Sequence, residues 1–287
     1  MSWLGDNAAV AVLSFDVDAE SPILAQGRRY ADHAMVMTHQ AYGPLVGVPR
    51  LLALLEDFAL KATFFVPGLT ADRYPQTVEQ IAAAGHEIGH HSYSHRSPVD
   101  LGADGEREDF ERALAALDRV GVKPTGHRSA LWEASWDTPS LVAEYGLAYD
   151  STLMDDDKPY RLETPKGTIA ELPPHWSLDD WEQYAYLPRP EIGVNIEAPS
   201  KVLDLWITEL DAMCRHGCLF MLTNHPFLSG RPGRVETLRR LIEHALGRGD
   251  VQFATAGQVA ARVREDPGAT TRKLRPVEVD AAIYPDL

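Results

Sequence analysis

Two acidic residues follow the first apolar run of the sequence and could hold a cation. Asp16 and Asp18 lie at the end of residues 8–15, which have the pattern of a buried strand. Residues two apart in an extended chain point to the same side, so both carboxylates would project from the C-terminal end of that strand. Neighbouring carboxylates repel each other unless a cation lies between them or one is protonated. A solvated turn after a strand is the other interpretation, and the pair alone does not decide between them.

Histidines are concentrated in one stretch, residues 86–95, which contains His86, His90, His91 and His95. His91 and His95 are four residues apart and could converge on one metal from a helical turn or from a compact loop. One carboxylate and two imidazoles form a ligand set suited to zinc, cobalt, manganese or ferrous iron, with positions left open for water. A lone histidine more often has a structural role, but this density favours a metal site.

Two further polar residues, Arg128 and His225, could take part in the same chemistry. An arginine such as Arg128 can hold a carboxylate through two parallel hydrogen bonds, although this motif taken alone favours a surface arginine. His225 follows the apolar run 219–222 and precedes Pro226. It therefore lies just beyond a predicted strand, where α/β folds place their sites, but a structural role is as consistent with this spacing as a catalytic one.

The elements that must position these residues alternate along the chain, with short apolar runs between segments of helical period. The predicted strands are residues 10–15, 62–66, 87–89, 148–150, 169–172, 219–222 and 251–254. The predicted helices are residues 49–58, 75–84, 104–120, 200–214, 234–246 and 255–263. This alternation predicts βα units and a mainly parallel sheet.

An irregular, aromatic segment, residues 149–189, interrupts this alternation. Its aromatic residues are Tyr160, Trp176, Trp181, Tyr184 and Tyr186. Long irregular segments inside a compact domain are usually functional or disordered, and the aromatic content argues against disorder. These side chains either contact a substrate or pack at the mouth of the fold or at a subunit interface.

Together the motifs resemble those of the polysaccharide deacetylase superfamily (carbohydrate esterase family 4, or the NodB-homology fold), over about residues 10–263. Phe15-Asp16-x-Asp18 resembles the first motif of that family. Gly85-His86-Glu87-Ile88-Gly89-x-His91-Ser92-x-x-His95 is a close and specific match to the second motif, whereas the others are weaker. The resemblance implies an α/β fold of NodB type, a distorted (β/α) barrel that often has seven strands.

The resemblance also implies roles for individual residues. It implies metal ligands at Asp18, His91 and His95, and catalytic residues at Asp16, Arg128 and His225. One divalent metal per chain is expected, with zinc ahead of cobalt, manganese or iron. In the implied reaction water attacks an amide carbonyl, Asp16 acts as the general base with Arg128 as its tether, and His225 protonates the leaving nitrogen.

Three departures from the family pattern bear on the substrate. Val17 separates two aspartates that are usually adjacent, Ala130 replaces a usual proline and Thr223 replaces a usual leucine. At these three positions and at residues 230–234, the sequence resembles one subgroup of the family. That subgroup contains cyclic imide hydrolases, allantoinase-like enzymes and peptidoglycan deacetylase-like proteins. The prediction is a metal-dependent hydrolase of non-peptide amide C–N bonds that prefers a small linear or cyclic amide. The alternatives are an N-deacetylase of N-acetylated sugars or peptidoglycan fragments, and a non-catalytic metal-binding domain.

Composition narrows the possible partners and the compartment. The formal net charge of −15 argues against nucleic acid and anionic membrane surfaces as partners. The first residues lack the pattern of a signal peptide, and two cysteines are too few for a disulfide framework, so a cytoplasmic location is predicted. Residues 1–265 are predicted to form one catalytic domain. Residues 266–287 are predicted to be a tail or the arm of a homo-oligomer. The predicted substrate is a small molecule or a short sugar.

Overall fold

The structure is a computed structural model and describes residues 2–280 and 282–284. The strands are Ala9–Asp16 (β1), Thr63–Val66 (β2), Glu87–His90 (β3), Gly126–His127 (β4), Tyr149–Asp150 (β5), Tyr160–Thr164 (β6), Gly167–Glu171 (β7), Leu187–Pro188 (β8), Glu191–Ile192 (β9), Leu219–Asn224 (β10), Val251–Phe253 (β11) and Thr271–Lys273 (β12). The α-helices are Ser21–Ala25 (α1), Ala34–Tyr42 (α2), Val48–Asp57 (α3), Gly68–Arg73 (α4), Pro75–Ala83 (α5), Pro98–Arg119 (α6), Thr138–Glu144 (α7), Trp181–Tyr184 (α8), Pro199–His216 (α9), Pro226–Ser229 (α10), Pro232–Arg248 (α11) and Ala256–Glu265 (α12).

One mostly parallel sheet of ten strands organises these elements. Its order is β10-β1-β2-β3-β4-β5-β7-β6-β12, and β11 pairs with β1 beside this path. Only β6 and β7 run antiparallel within it. Because parallel strands end at the same edge of a sheet, the residues that follow β1, β3, β4 and β10 are brought together there.

The seven predicted strands are all confirmed within this sheet, with bounds that differ by one or two residues. The other three strands of this sheet, β4, β6 and β12, were not predicted, and neither were β8 and β9, which form a separate two-stranded sheet. Strand β4 has two residues, too few to show a period, and β12 is a polar edge strand. No pairing among the described residues joins β10 to β12. The structure shows a mixed α/β fold with a mostly parallel sheet, and the distorted barrel of seven strands stays a prediction.

The six predicted helices are also confirmed, as α3, α5, α6, α9, α11 and α12. Helix α6 begins six residues earlier than predicted, at Pro98 rather than residue 104. Gly102 has a φ of +68° inside it and marks a kink. This conformation suits glycine, which has no Cβ to oppose it, and it explains why the apolar period starts only after the kink.

Strand β1 is the centre of the core, since all eight of its residues are buried. Its alternate side chains point to opposite faces of the sheet. Leu13 and Phe15 belong to a cluster with the buried leucines of α3, and Val10 and Val12 pack with the apolar side of α12. The strand that carries Asp16 is therefore held on both faces.

The C-terminal region contributes to the same sheet before it leaves the core. Strand β12 pairs with β6, and the backbone N–H of Trp3 donates to the carboxylate of Asp266 at 2.9 Å. The predicted domain boundary at residue 265 stays a prediction. Of the predicted tail, residues 281 and 285–287 lie outside the described part of the chain. Among the described helices, none combines the length and apolar character needed to cross a membrane.

Candidate active site

A buried group of one carboxylate and two imidazoles lies where β1 and β3 end. Ligand atoms of Asp18, His91 and His95 all lie within 4.8 Å of one another. Nε2 of His91 is 3.4 Å from one carboxylate oxygen of Asp18, and Nε2 of His95 is 3.3 Å from the other. Neither oxygen of Asp18 has a hydrogen-bond partner among the described residues. A buried carboxylate without partners is costly, and a cation would satisfy it.

The protonation of His91 supports the same interpretation. Its Nδ1 lies 2.7 Å from the backbone carbonyl oxygen of Arg128. A carbonyl can only accept, so Nδ1 carries a proton, and in the neutral tautomer Nε2 is the nitrogen left free to bind a cation beside Asp18. One oxygen ligand and two nitrogen ligands in this state fit a divalent metal.

His91 and His95 converge from a compact loop rather than from a helical turn. Ser92 and His95 both have positive φ, at +56° and +59°. Asp109 on α6 holds this loop, since its carboxylate accepts from the backbone N–H of Tyr93 at 2.7 Å and of Ser94 at 3.0 Å. The strained backbone is thus fixed by tertiary contacts.

Asp16 is oriented by Arg128. Nη1 of the fully buried Arg128 donates to Asp16 Oδ1 at 2.8 Å and to the Ser14 hydroxyl at 2.9 Å. Nη2 donates to the Ser151 hydroxyl at 3.2 Å, and the guanidinium carbon lies 4.2 Å from the centroid of the Phe65 ring. The surface interpretation of Arg128 is therefore wrong, and no sequence motif indicated that Ser14 and Ser151 would contact it.

His225 is oriented by Asp180. Its Nδ1 donates to Asp180 Oδ1 at 2.7 Å, and its backbone N–H lies 2.9 and 3.0 Å from the two Asp180 oxygens. The hydroxyl of Ser229 also donates to Asp180. Nε2 of His225 then faces the ligand group, 3.5 Å from Asp18 Oδ2. No sequence motif indicated that Asp180 would orient this histidine.

Charge within the site sets the pKa of His225 and of Asp18. Burial disfavours the imidazolium of His225, but the charges of Asp179 and Asp180 outweigh it and raise its pKa well above the usual value. Burial also opposes ionisation of Asp18, but the neighbouring histidines His95, His91 and His225 hold its pKa well below the usual value. His225 is thus suited to carry a proton and Asp18 to carry a negative charge.

Asp179, Asp180 and His225 also lie close enough together to form a second possible ligand group. Its donors and acceptors are already matched, because Asp180 accepts from His225 and Ser229. This second group therefore serves to position His225.

A cavity of about 250 Å³ lies over the site. Its lining includes Asp16, Asp18, His91, His95 and His225, with Trp132, Trp176 and Trp181 as aromatic walls. The rings of Trp132 and Trp176 meet edge to face at 4.8 Å, and those of Trp181 and His225 do so at 5.2 Å. The predicted aromatic segment is therefore divided: Trp176 and Trp181 line the cavity, whereas Tyr160 and Tyr184 are buried away from it.

Several other polar residues that the sequence analysis weighed do not reach this cavity. His90 lies against the carbonyl oxygen of Phe110, and His86 accepts from the backbone N–H of Ala62. Both histidines are outside the ligand group.

Comparison with known proteins agrees with the motifs. The profile of the family described as polysaccharide deacetylase matches residues 32–149. A crystal structure of a Mycobacterium smegmatis protein assigned as a polysaccharide deacetylase is 48% identical, with a TM-score of 0.94, and the match covers 97% of this chain and 98% of that one. The chain belongs to the polysaccharide deacetylase family. Members of this family hydrolyse C–N bonds other than peptide bonds, and this chain is a hydrolase of that class.

A further relative and a structural neighbour are less similar to this chain. The peptidoglycan deacetylase of Helicobacter pylori is 28% identical over 242 residues, which cover 75% of this chain and 83% of that protein. The structure of PuuE allantoinase shares the fold, with a TM-score of 0.79 at 23% identity and coverage of 93% of both chains. The presence of Asp16, Arg128 and His225 together around one buried site argues against the non-catalytic alternative.

Proposed function

We propose that this polysaccharide deacetylase family member is a metal-dependent hydrolase of a small linear or cyclic amide. The observation that carries the proposal is the arrangement around Asp18. Nε2 of His91, which faces one oxygen of Asp18, is 3.8 Å from Oδ2 of Asp16. Nε2 of His225 approaches the other oxygen of Asp18. A base candidate and an acid candidate thus reach the ligand group from different sides.

Asp18, His91 and His95 would hold one divalent metal, with zinc the first candidate. When bound, such a metal lowers the pKa of water and polarises a carbonyl oxygen. Asp16 accepts the proton of the attacking water at Oδ2, because Oδ1 is already engaged by Arg128. His225 gives the proton on Nε2 to the leaving nitrogen, and its Nδ1–H bond to Asp180 holds the ring in position.

The size and walls of the cavity support a small substrate. Its volume of about 250 Å³ lies below the roughly 300–1,000 Å³ typical of pockets that take drug-sized ligands. Tryptophan walls suit a planar ring, which stacks against them or meets them edge to face. A single ring with an amide, imide or ureide group fits this description better than an extended glycan.

N-deacetylation of an N-acetylated sugar is the second candidate. It is supported by the peptidoglycan deacetylase of Helicobacter pylori among the relatives, which matches three-quarters of this chain. The two candidates require the same acid, base and ligand group and differ in what the cavity admits. The choice between them therefore rests on substrate tests.

Turnover of a small panel distinguishes the candidates. The metal-loaded protein is assayed with and without chelator on succinimide, dihydrouracil, allantoin and tri-N-acetylchitotriose. Chelator-sensitive turnover of a cyclic substrate supports the proposal, and turnover of the chitotriose alone contradicts it in favour of the second candidate. His225→Ala serves as the inactive control, since it keeps the ligand group. A cytoplasmic location, assembly into a homo-oligomer and the exclusion of nucleic acid and membrane as partners stay predictions.

A further inference from the structure

A second cavity of about 390 Å³ lies outside the candidate active site. Its lining includes His39 on α2, Tyr184 on α8, and Arg231 and Arg234 at the start of α11. It shares no lining residue with the active-site cavity. The two arginines come from residues 230–234, which the proposed reaction does not use.

Aromatic rings and carbonyl oxygens fix both guanidinium groups. The guanidinium carbon of Arg231 lies 3.6 Å from the centroid of the Tyr42 ring, and Nε donates to the carbonyl oxygen of Phe227. The guanidinium carbon of Arg234 lies 4.2 Å from the centroid of the Tyr184 ring, and Nη1 of Arg234 donates to the carbonyl oxygen of Leu228. The other guanidinium N–H groups of both arginines make no hydrogen bond to the described part of the chain.

Neither arginine forms an ion pair with a carboxylate of the described residues, although Asp180 exerts a longer-range attraction on Arg234. No carboxylate of the described residues lies within 4.0 Å of either guanidinium, although the chain has a net charge of −15. Glu197 also lines the cavity, but its carboxylate pairs with Lys201 at 2.7 Å. Burial lowers the pKa of Arg234, partly opposed by the charge of Asp180, and the neighbouring charge of Arg231 lowers it as well. Two adjacent cations with free donors are the surroundings that an anion stabilises.

His39 supplies a further donor. Its Nδ1 lies 3.3 Å from the amide nitrogen of Gln40, which can only donate, so the neutral ring carries its proton on Nε2. Burial, Arg231 and Arg234 lower the pKa of His39 and keep the ring neutral. The cavity therefore combines two fixed cations with a neutral N–H donor.

We propose that this second cavity binds a small oxyanion, a phosphate or a carboxylate group, through Arg231, Arg234 and His39. A guanidinium presents two parallel N–H groups that match two oxygens of such an anion. The proposal is independent of the reaction assigned to the active site.

Isothermal titration calorimetry of inorganic phosphate and of acetate, each against chloride at matched ionic strength, tests this site. We expect one site per chain, and the tighter of the two ligands identifies the kind of oxyanion. Arg231→Gln and Arg234→Gln should each weaken binding about tenfold or more, because each removes a charge-assisted contact. Arg234→Lys keeps the charge but loses the two-pronged geometry, so an intermediate affinity is expected.

Arg240→Gln is the matched control, since Arg240 is an exposed arginine on the same helix. This variant should bind as the wild type does. Phosphate bound elsewhere, for example at the metal centre, would keep its affinity in the Arg231→Gln/Arg234→Gln double variant, and that result overturns the proposal. Absence of binding beyond chloride overturns it as well. Thermal unfolding of each variant without added anion establishes that it is folded, and Arg234→Lys provides the comparison if the glutamine variants do not fold.

Discussion

Arg128 donates a hydrogen bond from Nη1 to Oδ1 of Asp16 at 2.8 Å, and both side chains are buried. This contact joins β1 to the segment after β4 and orients the proposed base. Because both charges are removed from water, each depends on the other: removal of one partner leaves an uncompensated buried charge, at a cost of about 3–5 kcal/mol.

Arg128→Met should therefore lower the free energy of unfolding by about 3–5 kcal/mol, as measured by urea denaturation. Adding Asp16→Asn to the same protein should recover part of this loss, because the double variant carries no unpaired carboxylate. An Arg128→Met protein as stable as the wild type would show that the pair is not buried as described.

Asp180→Asn should shift the pH dependence of turnover. As a general acid, His225 is active when protonated, so the rate falls as the pH rises through its pKa. Burial lowers the pKa of His225, but the charges of Asp179 and Asp180 raise it by a larger amount. Loss of the Asp180 charge removes part of that increase. The alkaline limb of the kcat profile should move to lower pH. Asp204→Asn, at an exposed position on α9, is the control and should leave the limb in place; an unmoved limb in Asp180→Asn would contradict the role of Asp180.

Asp109→Ala should weaken metal binding although Asp109 is outside the ligand group. Its carboxylate holds the backbone of Tyr93 and Ser94, between the two histidine ligands. Outer contacts of this kind typically change metal affinity about 10- to 100-fold. Competition with a chromogenic chelator measures the effect. Asp104→Ala, at an exposed position on the same helix, should bind metal as the wild type does, and equal affinities in both variants would assign no positioning role to Asp109.

Trp176→Ala should raise KM about five- to tenfold and change kcat little, because the ring forms a wall of the cavity and takes no part in the proposed proton transfers. Trp176 is 49% exposed and Trp136 is 53% exposed, but Trp136 does not line the cavity. Trp136→Ala is therefore a matched control. Steady-state kinetics on the best substrate of the panel measure both, and a fall confined to kcat in Trp176→Ala would place this ring in the chemical step instead.

The ligand group could be predicted from the sequence because its signals are local. Asp18 ends an apolar run, and His91 and His95 are close together in one motif, so the strand pattern alone places them at one edge of the sheet. The orienting contacts could not be predicted in this way. Asp180 and His225 are 45 positions apart, and nothing in either segment indicates their bond.

Arg128 shows the same limit. Its local sequence is compatible with a surface side chain, whereas its partner Asp16 is 112 positions away. Strand β4, which leads to Arg128, has only two residues and shows no period. Hydrophobic periodicity predicts elements that are long enough to repeat a pattern, and pairings between distant polar residues need the fold itself.

The metal content of the wild type and of Asp18→Asn, measured with turnover on the same samples, tests the central claim most directly. Asp18→Asn keeps the shape of the side chain and removes the charge between His91 and His95. After chelation and re-addition of zinc, the wild type should contain one metal ion per chain and recover turnover, and Asp18→Asn should lose both together. A variant that keeps the metal and the turnover of the wild type, or a wild type whose turnover is unaffected by complete removal of metal, would contradict the account.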